Sequence, residues 1–130
     1  MKALYIDDTV DTCDCCGRTD LKATVAMLLE DGGILYYGRT CAARNSGKTQ
    51  KAIKQEIEYA RQARRDEAYD ALKATSAYSD LCEKRMELYA KSKGKWPRQW
   101  WDEAMATYIK ELEIEKQRIA ERYRINAWEI

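Results

Sequence analysis

The chain contains no histidine and one proline, and no stretch of it is apolar for long. Without histidine it lacks the side chain that most often acts as a general base near neutral pH. The carboxylates are spread along helix-forming segments in ion-pair register, so they form no paired acid and base either. Together these absences point away from an enzyme; a zinc-bound water beside a glutamate is the one catalytic arrangement that stays open. No run approaches the roughly 18 apolar residues that a membrane-spanning helix needs. The opening residues Met1 to Asp8 have no apolar core of the signal-peptide kind, so a cytoplasmic protein without membrane partners is expected.

Five cysteines remain to be explained. In a chain read as cytosolic they are unsuited to a disulfide framework, because thiols there are kept reduced and an odd number leaves one over. Metal ligation is the better use. Cys13 and Cys16 are spaced so that both sulfurs can chelate one ion around a tight turn at Gly17. Cys41 lies where a helix N-terminus would favour a thiolate. Between them, two apolar runs, 23–29 and 34–37, flank Glu30-Asp31-Gly32-Gly33, a β-hairpin signal because Gly accepts positive φ at no steric cost. A knuckle, a hairpin and a cysteine opening a helix form the order of parts in a treble-clef zinc module. Thiolate–zinc bonds there make up for a small core.

Structural zinc normally takes four ligands, and the fourth is unassigned. A treble clef would place a Cys or His three residues after Cys41, where this chain has Arg44. Cys15, Cys82, Asp14 and Asp20 are the candidates within the chain; a water or a second chain are the alternatives. The competing uses of the cysteines are unligated buried thiols and a thiol-redox motif. The redox reading lacks the strand-to-helix context it requires.

The same residues carry a resemblance. Cys13 to Arg18 as C-x-x-C-G-R, then Leu21-Lys22-Ala23-Thr24-Val25, then Tyr37-Gly38-Arg39-Thr40-Cys41-Ala42-Ala43, resemble a group of small uncharacterised bacterial and bacteriophage proteins with a zinc-ribbon or treble-clef-like N-terminus. It covers about residues 12 to 45. It implies Cys13, Cys16 and Cys41 as zinc ligands and a phage or mobile-element setting, and it carries no activity with it.

Beyond residue 47 the composition becomes helical. A short strand over 3–6 and a helix capped by Thr40 precede it; Thr49 offers the next N-cap. Ile53, Ile57, Ala60, Arg64, Ala68, Ala71, Thr75, Tyr78, Cys82, Arg85 and Tyr89 recur at helical spacing, so a helix over about 49–92 is expected. It either runs unbroken or breaks near 75–80, where Asp80 and Glu83 would supply a capping box. Gly94 and Pro97 mark its end. A second helix over 98–127 presents Trp101, Met105, Tyr108, Leu112, Ile119 and Tyr123 on one face. The expected architecture is therefore α+β: a cysteine-rich zinc module over 1–47, then an antiparallel helical hairpin over 48–130. Ile109, Ile114, Ile125 and Trp128 would be left over as a surface for a homodimer.

Charge and aromatics supply the binding candidates. Net charge is +1, yet residues 44–65 carry seven basic and two acidic side chains. Lys51, Lys54, Arg61 and Arg65 can share a face suited to DNA or RNA phosphates, or form an ordinary solvated face with local ion pairs. Ser46-Gly47-Lys48-Thr49 resembles only the end of a P-loop and lacks its first glycine. Lys93 to Trp101 gathers three of the four tryptophans with Lys93, Lys95 and Arg98. In that loop Trp101 is expected in the core, Trp96 partly exposed, and Trp96, Arg98 and Trp100 as partner contacts. The expectation for function is a non-enzymatic protein docking on a host protein complex, for instance to inhibit a defence or transcription system. Nucleic-acid binding by the basic face is the alternative.

Overall fold

β-Compatible runs at the N-terminus pair into one sheet. In the computed structural model, which describes all 130 residues, β1 (Lys2–Asp7), β2 (Thr24–Leu28) and β3 (Ile34–Tyr37) form an antiparallel sheet in the order β1-β2-β3. The central strand is almost wholly buried. β2 and β3 form the expected hairpin, with Val25 opposite Tyr37 and Leu28 opposite Ile34. Its turn closes through Leu29 N–H to the Gly33 carbonyl at 2.8 Å, with Gly32 at φ +88°.

Four helices follow: α1 (Arg39–Ser46), α2 (Gln50–Lys73), α3 (Ser76–Ser92) and α4 (Arg98–Tyr123), then a 3-10 turn at Ala127–Glu129. No helix is long and apolar enough to cross a membrane. The chain divides into two compact units, Met1–Ala63 and Arg64–Ile130.

In the first unit Ala3, Cys13, Val25, Met27, Tyr37, Ala42 and Ile53 make one core. The first turns of α2 belong to it through Ile53, with Ile57 packed alongside. At the β1 edge of the sheet, polar contacts engage backbone groups that would otherwise be unpaired. Glu56 on α2 accepts the Ala3 amide at 2.9 Å, and Lys48 bonds both the Glu56 carboxylate and the Met1 carbonyl. The connection between α1 and α2 is Gly47 to Thr49, with Ser46 closing α1. Gly47 ends α1 at φ +66°, and the Thr49 hydroxyl accepts the Ala52 amide at 3.1 Å at the start of α2.

In the second unit the long helical stretch is divided. Thr75 is extended, at φ −77° and ψ 150°, and its hydroxyl accepts the Tyr78 amide, so Thr75 is the cap and Asp80 with Glu83 is not. The interruption resets the helical phase. Leu81 and Leu88 therefore face inward against Met105, while Tyr89, aligned with the apolar stripe if the helix were continuous, is 61% exposed. The hairpin is the antiparallel pair α3 and α4: Leu88 meets Met105 near the turn, and Tyr78 packs near Leu112 and Tyr123 at the far end. There Ala68 and Leu72 of α2 join Ile119, Ala120 and Ile125 in a second cluster.

Ile125 thus does not belong to a leftover dimer surface. Arg124 adopts the left-handed conformation at φ +56°, and Ile125 N–H returns to the Ala120 carbonyl, which folds the side chain inward. Ile109, Ile114 and Trp128 are exposed. Glu129 anchors the C-terminal turn, accepting Arg65 at 2.9 Å and the Asn126 amide at 2.7 Å.

Candidate metal centre

The turn after Cys13 is tight because Gly17 stands at φ +72° and gives its N–H back to the Cys13 carbonyl at 2.9 Å. A side chain at that φ would be strained. Asp14 fastens the knuckle to β3 twice: its amide donates to the Tyr36 carbonyl and its carboxylate accepts the Tyr36 amide, both at 2.7 Å. On the opposite side Gly38 is the N-cap of α1, and no side chain caps this helix. Thr40 lies inside the first turn, so the cap expected of it is absent; Cys41 follows it.

These two supports bring the sulfurs of Cys13, Cys16 and Cys41 within 4.8 Å of one another. Thiolates on one tetrahedral zinc ion, at Zn–S about 2.3 Å, stand about 3.8 Å apart. Small side-chain adjustments therefore suffice, and the three residues are close enough to hold a metal ion. Cys13 is 1% exposed and part of the core, Cys41 is half-buried, and Cys16 is exposed.

Their protonation favours a cation. Burial pushes the Cys13 thiol up, but the backbone amides of Cys16, Gly38 and Cys15, with the Cys16 thiol, outweigh it and bring Cys13 down to about 7. Hydrogen bonds to Cys13 and Cys16, followed by burial, push Cys41 up to about 12. The Cys13 thiolate forms readily and Cys41 beside it resists a second negative charge, a conflict that a divalent ion among the sulfurs relieves. Tyr37 is raised by its burial and then by the thiols and Asp14 beside it.

None of the four fourth-ligand candidates joins the three sulfurs. The exposed Cys15 thiol accepts Asn45 Nδ2 at 3.2 Å and approaches Cys41. Asp14 is tied to β3. Asp20 is exposed on a left-handed residue at φ +58°, and Cys82 lies on α3 in the second unit.

The sulfurs open onto a hollow of about 610 Å³ whose polar rim includes Arg18, Lys22, Arg39 and Arg44, with no carboxylate. These cations come from both sides of the hairpin and were not legible as a run; the run over 44–65 was the visible signal. Within that run, Lys51 and Lys54 are exposed on α2, Arg61 is half-buried and engaged by other groups, and the Arg65 guanidinium bonds Glu129.

The aromatic loop is built as a stack. Trp96 packs on the α3–α4 core and touches Trp101 at 5.9 Å between ring centroids and Trp100 edge-on at 6.2 Å. Trp101 is half-buried, less enclosed than its place in the apolar pattern predicts. Trp100 is 56% exposed, and Arg98 is exposed beside Asp102. Met86 and Tyr89 on the adjoining end of α3 are exposed as well, and sequence reasoning passed over Met86. Comparison with protein-family models, with curated proteins and with solved structures finds no match.

Proposed function

We propose that this is a non-catalytic binding protein whose first unit holds a structural zinc ion on Cys13, Cys16 and Cys41 in a treble-clef-like arrangement, and whose helical hairpin docks on a protein complex of a bacterial host. The observation that carries the metal assignment is the approach of three sulfurs to within 4.8 Å, from two separate segments of the chain. Zinc suits them best among common ions, since thiolate donors and tetrahedral geometry are its structural preference. Support for docking comes from the turn end of the hairpin, where Met86 and Tyr89 of α3 and Trp100 of α4 are each exposed, as are Lys93, Lys95 and Arg98 in the sequence between and beside them. Partly exposed Trp and Tyr with cations around them are the composition of a binding hot spot. The partner surface is accordingly an apolar cleft rimmed by carboxylates. The resemblance of residues 12 to 45 to small bacterial and bacteriophage proteins is the ground for placing the partner in a bacterial host.

The test is capture from bacterial lysate with the tagged full-length protein, identification of the retained complex, and measurement of its affinity. Trp100→Ala should weaken binding by about 30-fold or more, the effect of a hot-spot side chain. Its metal content and thermal midpoint should stay close to those of the parent. If Trp100→Ala and Trp96→Ala both leave the affinity unchanged, docking does not use the tip.

A further inference from the structure

Four cations surround the mouth of the thiol cluster and nothing in the chain neutralises them. Arg18, Lys22, Arg39 and Arg44 are all exposed, and their side chains make no ion pair or hydrogen bond within the protein. Some cations elsewhere are paired, Lys48 with Glu56, Arg65 with Glu129, Lys84 with Glu87 and Arg118 with Glu115, whereas these four gather at one hollow without a carboxylate. Arg44 has a further distinction, since it stands three residues after Cys41, where the fourth ligand of such a module would be expected. In its place the chain puts a guanidinium on the wall of an open hollow. Among the other ligand candidates, Asp14 is turned to Tyr36, and Cys15, which reaches Cys41 and bonds Asn45, does not stand close to all three sulfurs.

We infer that the fourth coordination position of the metal opens into this hollow and is completed by an external oxyanion of the phosphate class, held by Arg18, Lys22, Arg39 and Arg44. The inference rests on the zinc reading above. Three thiolates and one divalent ion together carry a single negative charge, so the four cations leave the mouth strongly positive. Guanidinium groups recognise phosphate and carboxylate oxygens through paired N–H donors, and a dianion gains more from four cations than a monoanion does. The three thiolates supply rigidity, the oxygen of the anion supplies the fourth donor, and the arginines determine which anions enter.

Cobalt(II) in place of zinc makes the site visible. Full-length protein loaded with cobalt in phosphate-free buffer should show the charge-transfer absorption of three thiolates. Inorganic phosphate should then shift the ligand-field bands in a saturable way, with the metal retained after desalting, while acetate at equal ionic strength should shift them far more weakly. Arg18→Gln and Arg44→Gln should each weaken the phosphate response by about tenfold while leaving cobalt stoichiometry unchanged. Cys15→Ser should leave the spectrum as it was. A four-thiolate spectrum that reverts to three on Cys15→Ser would overturn the inference, as would ligand-field bands indifferent to phosphate. Failure to take up any metal overturns the zinc reading as well, and is distinguished by metal analysis before any anion is added.

Discussion

Leu88 and Tyr89 are neighbours in sequence, and the break at Thr75 decides which of them supports the fold. Leu88 is 4% exposed and shares a cluster with Leu81 and Met105, against which Trp96 and Trp101 pack. Replacing it with alanine removes the buried methyl groups and leaves a hole that this short hairpin can only partly close, costing about 2–5 kcal/mol. For a unit of this size each kcal/mol corresponds to roughly 4–8 °C in the midpoint, so a fall of about 8–40 °C is expected. Tyr89→Ala, with the side chain 61% exposed and only its ring edge resting on the turn at Gly94, should cost under about 1 kcal/mol. Tryptophan emission is a selective assay, because all four tryptophans, at 96, 100, 101 and 128, belong to the second unit. Its thermal transition should move for Leu88→Ala and barely move for Tyr89→Ala. The reverse order would mean that the helix continues through Thr75 in the phase of the apolar stripe, and would refute the packing described.

Two further outcomes follow from single contacts in the first unit. Burial alone would raise the Glu56 carboxyl, but the Ala3 amide and Lys48 hold it below the usual carboxylate range. A depressed folded-state pKa stabilises above the unfolded value of about 4.3 and is lost as pH falls through the folded value. Glu56→Gln should therefore lower stability at neutral pH by about 2 kcal/mol, with the gap to the parent closing below about pH 4 in urea titrations. Lys51→Glu combined with Lys54→Glu alters the two exposed cations of the α2 run and should change no partner affinity. Low-salt DNA or RNA binding that these substitutions abolish, and that falls steeply with added salt, would instead favour the nucleic-acid reading.

The sheet and the thiol cluster were legible because their signals are local. Asp31-Gly32-Gly33 between apolar runs encodes a turn, and Cys13-x-x-Cys16-Gly17 encodes a knuckle whose φ only glycine adopts easily. The place of the helix break was not legible. Small residues at 68, 71 and 75 continue the stripe without a phase error, and Thr75 is an ordinary cap whose effect shows only as a shift from Cys82 and Tyr89 to Leu81 and Leu88. Ile125 was misplaced for a similar reason: the left-handed residue that turns it inward is Arg124, where glycine or asparagine would have signalled the turn. The cations at the cluster's mouth are scattered from 18 to 44, and only the pairing of the knuckle with the start of α1 gathers them. Nothing in residue spacing alone announces such a ring.

A zinc ion on Cys13, Cys16 and Cys41 would support the first unit, as proposed above. Elemental analysis of freshly purified, reduced full-length protein addresses it directly, alongside the Cys13→Ser and Cys82→Ser variants. One zinc per chain is expected, retained in Cys82→Ser, and lost in Cys13→Ser together with a marked fall in the stability of residues 1–63 by hydrogen exchange. Protein that is folded, reduced and free of metal would contradict it.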